Sequence, residues 1–101
     1  MSRSDSVQAR RYLVHGRVQG VGFRWFVERH ASAIGVKGWT RNHDDGTVEV
    51  YAVGTGKQLD ELSAFLHKGP PMSDVRGVEE KEAAQEKVSG FRIARSLSER
   101  L

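Results

Sequence analysis

The chain has 101 residues and a mass of 11.3 kDa, which leaves room for one hydrophobic core and excludes two independent ones. With 38% hydrophobic and 29% charged residues it reads as a soluble globular domain, and its longest apolar runs, such as Tyr12-Leu13-Val14, fall far short of the roughly 20 residues that span a bilayer. Cysteine is absent, which excludes disulfide scaffolds, thiolate zinc sites and cysteine nucleophiles, and the net charge of +3 is unevenly spread: in residues 1–30, Arg3, Arg10, Arg11, Arg17, Arg24 and Arg29 face only Asp5 and Glu28.

The opening MSRSDSVQARR carries no apolar stretch of the secretory kind, so a cytoplasmic home is the expectation. Residues 1–8 read as a polar, flexible start. Residues 10–15 have the bulky and β-branched content of a strand, with Tyr12 and Val14 on one face. Gly16-Arg17-Val18-Gln19-Gly20-Val21-Gly22 holds three glycines in seven residues and reads as a loop. A helix follows to about Ile34, carried by Phe23, Phe26, Val27, Ala31 and Ile34 at three- and four-residue spacings, and Gly35 stops it. Residues 36–40 suit a second strand, Asn42-His43-Asp44-Asp45-Gly46 a hairpin turn, and residues 47–53 a third strand. In that strand Val48, Val50 and Ala52 face one way, and Thr47, Glu49 and Tyr51 the other.

Thr55 and Gln58 form a capping-box pattern for a second helix striped by Leu59, Leu62, Phe65 and Leu66, and ended by Gly69-Pro70-Pro71. Residues 75–84 suit an exposed strand, with Glu79-Glu80-Lys81-Glu82 as a wet surface that protects a sheet edge. Phe91 and Ile93 alternate in a last short strand, and residues 96–101 are a polar tail. The order is β-α-β-β-α-β with an extra short strand at the C-terminus. This is an α+β domain over residues 9–95: an antiparallel sheet with two helices on one face.

The glycine loop is the first functional signal. A loop of this kind running into a helix N-terminus can present converging N–H groups to an anion. Arg24 stands in the first helical turn, where a cation costs about 0.3–1 kcal/mol against the helix dipole. A bound anion would offset that cost; a plain turn with a solvated arginine is the other reading. The nucleotide motifs fail: Val21 stands where a Walker loop needs its second glycine, and Trp25 where the dinucleotide fingerprint needs its third.

The stretch from Gly16 through Gly22-Phe23-Arg24 closely resembles the phosphate-binding motif of the acylphosphatases. Gly38-Trp39-Thr40-Arg41-Asn42-His43-Asp44-Asp45-Gly46-Thr47-Val48-Glu49-Val50 resembles that family's second motif, and Gly69-Pro70-Pro71 with Val75, and Phe91-Arg92-Ile93, look like further family features. The resemblance spans about residues 9–95; one conservative departure is Thr40, where the family usually has valine. It implies a ferredoxin-like βαββαβ sandwich. It also implies a hydrolase that cleaves the carboxyl–phosphate bond of small acyl phosphates to a carboxylate and inorganic phosphate, with no metal and no cofactor. On that resemblance Arg24 grips the phosphoryl oxygens, the loop backbone at Val18, Gln19, Gly20, Val21 and Gly22 completes the cradle, and Asn42 holds the attacking water.

Other residues have plainer readings. His15, His30, His43 and His67 show no metal-ligand spacing, and His30 and His67 read as ordinary helix residues. His43 stands beside Asn42 and could touch substrate. Asp44 and Asp45 read as turn formers, Trp39 as sheet packing, and Arg41 as solvated. Trp25 either shields the site or packs on the surface; Arg17 either steers anions or is solvated. The rival class is a nucleic-acid or phosphate-binding module on the same fold, since the sequence pI is about 9.6. An RNP1 pattern is missing, and stacking aromatics reduce to Tyr51 and Tyr12, so no nucleic-acid partner is expected. No membrane partner is expected either, and a monomer is the expectation from size and polarity.

Overall fold

The structure, a computed structural model, describes residues 6–96. The elements in chain order are β1 (Val7–Arg17), α1 (Phe23–Ile34), β2 (Lys37–Asn42), β3 (Val48–Thr55), α2 (Gly56–Lys68), β4 (Asp74–Ala83) and β5 (Phe91–Ile93). The strands form one five-stranded sheet in the order β4-β1-β3-β2-β5. Residues 1–5 and 97–101, the larger part of both expected tails, lie outside the described residues, while Val7 and Gln8 belong to β1.

Strand alternation decides which residues meet the helices. Tyr12 pairs with Val50 and Val14 with Val48, so their side chains share one face. That face packs on Phe23, Val27 and Ala31 of α1 and on Leu59, Leu62 and Leu66 of α2, all buried in one cluster. Both helices therefore cover the same side of the sheet. Each fully buried Leu, Val or Phe here contributes about 1.5–3 kcal/mol of transfer free energy. The helix ends match their sequence signals. Gly35 takes a left-handed φ of 96° after α1, and Thr55 and Gln58 close a reciprocal capping box on α2, with the Gln58 N–H donating to Thr55 Oγ1 at 3.1 Å and the Thr55 N–H to Gln58 Oε1 at 2.9 Å.

The expected antiparallel sheet is mixed at one edge, where β5 pairs parallel with β2. The reason is topological. β4 runs antiparallel to β1 at one edge, so the chain leaving it must turn back at that end of the sheet. It crosses to the far edge and re-enters beside β2 in β2's own direction. The crossing is tied down by Tyr51, whose hydroxyl donates to the Ala84 carbonyl at 2.6 Å and accepts from the Glu86 N–H at 2.7 Å.

β1 runs longer than expected because it is paired on both sides, by β3 and by β4. Its pairing with β4 shifts between His15 and Gly16, and a Cβ on Gly16 would stand 2.1 Å from the Asp74 carbonyl oxygen, at a φ of 120°. Gly16→Ala is expected to destabilise the fold by about 2 kcal/mol or more, since backbone, and not a yielding side chain, occupies the space. A lower urea midpoint at unchanged slope would show it; an unchanged midpoint would refute the close approach.

Candidate active site

α1 starts without a side-chain cap: Gly22, in the left-handed region at φ 77°, holds the N-cap position, and the first turn contains no acidic residue. Among the described residues, the N–H groups of residues 19–25 donate no backbone hydrogen bond, and the first one that does is Phe26, to the Gly22 carbonyl at 3.0 Å. These donors, from the loop and from the helix's opening turn, stand on either side of Arg24.

The half-buried Arg24 side chain makes no ion pair or hydrogen bond among the described residues. Other arginines are held: Arg10 by Asp60 at 2.7 Å, and Arg11 and Arg41 by Glu49, both at 2.8 Å. A guanidinium left unpaired at a helix start is the arrangement that an anion completes.

Asn42 reaches the same place from β2. Its register partner is Val48, which faces the helices, so Asn42 lies on the helix side of the sheet while His43 falls on the other. Asn42 Oδ1 is buried and has no hydrogen-bond partner among the described residues. A buried amide oxygen without a donor costs about 1–3 kcal/mol, which marks a position that something else completes.

A cleft of about 150 Å³ is lined by Val18, Gln19, Gly20, Gly22, Phe23, Arg24, Trp25, Asn42 and Ile93. It brings together Arg24, Asn42 and four of the five loop residues singled out in the sequence; Val21 instead packs against the core. A groove of about 450 Å³ between the start of β1 and the end of β4 includes none of these residues.

Two features were not anticipated. The Gln19 side chain, and not only its backbone, ties the loop down: Nε2 donates to the carbonyls of His43 at 2.7 Å and Thr47 at 2.9 Å. It therefore locks the glycine loop to the hairpin that carries Asn42. An amide side chain among the glycines and valines of residues 18–22 was the available signal. Ile93 enters the cleft because parallel pairing with Thr40 delivers it two residues from Asn42 on the neighbouring strand.

His43 and Arg41 turn away from the cleft. Glu49, 5% exposed on the outer sheet face, takes His43 Nε2 at 2.6 Å and Arg41 Nε at 2.8 Å on Oε1, and Arg11 Nε at 2.8 Å on Oε2. Burial pushes the Glu49 carboxyl up, but hydrogen bonds and charge from His43 and Arg41 outweigh it and hold the group below its ordinary range. Arg41 is thus paired, and its guanidinium also lies 4.6 Å over the Trp39 ring, which stacks on Tyr51 as packing. Arg17 is exposed and does not line the cleft. Asp45 is a turn former, its Oδ1 accepting from Thr47 N and Oγ1 at 3.0 and 2.6 Å. Among the described residues no group of three or more His, Asp or Glu side chains gathers where it could hold a metal ion, and no helix is long and apolar enough to cross a membrane.

The family model described as Acylphosphatase matches residues 10–93. The chain belongs to the acylphosphatase family. An acylphosphatase of Solibacter usitatus is 56% identical over 86 residues, covering 85% of this chain and 90% of that one. The crystal structure of the acylphosphatase from Bacillus subtilis superposes with a TM-score of 0.84 at 37% identity, over 88% of this chain and 99% of that one. Full-length HypF, solved in a phosphate- and nucleotide-bound form, matches with a TM-score of 0.87 at 27% identity, over 94% of this chain but 13% of its own. The mixed five-stranded sheet with two helices is thus the acylphosphatase fold, and the expected ferredoxin-like βαββαβ class holds with the one parallel pairing added.

Proposed function

We propose that this acylphosphatase hydrolyses small acyl phosphates with Arg24 and the loop N–H groups of residues 18–22 holding the phosphoryl group and Asn42 holding the attacking water. The observation that supports it is one cleft shared by an unpaired guanidinium, undonated N–H groups and a buried amide oxygen that lacks a donor. The water oxygen attacks phosphorus, the bond from phosphorus to the acyl oxygen breaks, and the electron pair leaves on a carboxylate. That leaving group is a weak base, so no strong general acid is needed. Asn42 has no basicity at neutral pH; its Oδ1 orients the water by accepting a hydrogen bond from it, and the proton released on attack goes to a phosphoryl oxygen. Catalysis then rests on positioning and on neutralising equatorial charge, which an arginine and a ring of N–H donors supply.

The nucleic-acid alternative is not favoured. Tyr12, one of its two stacking candidates, is buried beneath α2 with its hydroxyl donating to the Leu59 carbonyl at 3.0 Å, and burial pushes that phenol up to about 12. Tyr51 lies under Trp39 and the 84–86 segment. A monomer working in the cytoplasm fits the small size and the absence of cysteine. The purified protein is expected to hydrolyse benzoyl phosphate at a rate that excess EDTA leaves unchanged. Turnover lost on chelation and restored by a divalent cation would overturn the metal-free mechanism.

A further inference from the structure

We propose that the mouth of the phosphate cleft is an acyl-binding subsite selective for aromatic and bulky apolar acyl groups, with Trp25 as its main wall and Ile93 as its second; this rests on the hydrolase reading above. Four large apolar side chains are exposed among the described residues, Val7, Trp25, Met72 and Ile93, and two of them line this one cleft. Trp25 is 59% exposed and Ile93 38% exposed. The other large apolar side chains of the lining, Val18 and Phe23, are buried in the core and present little surface to a ligand.

Geometry assigns the direction of the acyl group. Displacement at phosphorus places the incoming water and the leaving oxygen on opposite sides. Asn42 Oδ1 is buried, whereas Trp25 and Ile93 are the exposed apolar side chains of the lining, so a water held at Asn42 is assigned to the buried part of the cleft. The leaving carboxylate, opposite that water, is then assigned to the exposed surface of Trp25 and Ile93. Two separate elements deliver these walls, α1 directly after Arg24 and β5 beside Thr40. Arg29, one turn along α1, lies 5.0 Å over the indole ring, a cation–π contact that restrains it. A methyl group is too short to use that surface, whereas a phenyl ring can cover it.

The test compares kcat/KM for benzoyl phosphate and acetyl phosphate in the full chain. Wild type is expected to favour benzoyl phosphate. Trp25→Ala is expected to lower kcat/KM for benzoyl phosphate about tenfold while changing acetyl phosphate less than about twofold. Trp25→Phe should keep most of the preference, and Ile93→Ala should lose it in the same direction by a smaller factor. Inhibition by inorganic phosphate should be unchanged in all three, which separates an acyl subsite from damage to the phosphate cradle. An unchanged benzoyl-to-acetyl ratio in Trp25→Ala, or an equal fall for both substrates, overturns the subsite while leaving the hydrolase intact. A wild-type protein that turns over neither acyl phosphate overturns the hydrolase reading and the subsite with it.

Discussion

Arg24→Ala is expected to lower kcat/KM for benzoyl phosphate by about a thousandfold or more and to abolish competitive inhibition by inorganic phosphate. The magnitude is that of removing a guanidinium from a transferring phosphoryl group, where it neutralises charge spread over the equatorial oxygens. Both losses should occur together, because the same fork is proposed to hold the phosphate in substrate, transition state and product. Stability separates this from unfolding. Arg24 has no carboxylate partner and opposes the positive end of the α1 dipole, so its removal is expected to leave the urea midpoint unchanged or raise it slightly, by about 0.3–1 kcal/mol in stability. A variant that still binds phosphate normally would show that the loop N–H groups suffice and that Arg24 acts elsewhere. A variant that is strongly destabilised would show that the guanidinium supports the fold, contrary to its lack of partners.

That opposition between charge and dipole is also what singles out Arg24 in the sequence. A cation in the first turn of a helix, behind three glycines, is locally unfavourable, and local conflicts gather at functional positions. The helix termini were legible for a simpler reason. Gly35, the Thr55–Gln58 pair and Gly69 act through their own backbone and near neighbours, so no tertiary information is needed. Asn42 reads as the first residue of the hairpin turn, and its place on the helix side of the sheet emerges only because β2 runs on to Asn42, opposite Val48. What could not be read depended on partners distant in sequence. The parallel course of β5 is set by the edge at which β4 ends, and the length of β1 by pairing on both sides. Arg41 reads as a solvated strand residue until Glu49 is seen beneath it with Arg11 and His43. Gln19 reads as one more loop position until the hairpin carbonyls of His43 and Thr47 are brought within reach of its amide.

The Glu49 cluster and the Gln19 clamp also hold residues far apart in sequence in one place. The hairpin is held from below by His43 on Glu49 and from the loop side by Gln19, so Asn42, between these anchors and Thr40, has little freedom. Thr40 adds to this: its hydroxyl, fully buried, donates to the Glu49 carbonyl at 2.9 Å. This gives the departure from the family's usual valine a satisfied hydrogen bond at the same volume, so it does not disturb the core. Rigid support of this kind is what positioning catalysis requires, since a misplacement of about 1 Å in a reacting group can cost about a hundredfold in rate.

Asn42→Ala should therefore separate chemistry from binding. The carboxamide is proposed to touch the attacking water and not the phosphoryl oxygens, so kcat is expected to fall by about a hundred- to a thousandfold, the range seen when one oriented polar group is removed from an active site. Inhibition by inorganic phosphate should stay within about twofold of wild type, because Arg24 and the loop are untouched. Stability should not fall, since the deleted Oδ1 is a buried acceptor with no donor among the described residues and its removal forfeits no protein hydrogen bond. Asn42→Asp sharpens the test. Its carboxylate could still orient water, but its negative charge beside the phosphoryl group opposes the anion, so phosphate inhibition should weaken as well as turnover. If Asn42→Ala instead retains full turnover, the water is positioned by another group. If it loses turnover and phosphate inhibition in parallel, Asn42 belongs to the cradle, and water orientation is not its task.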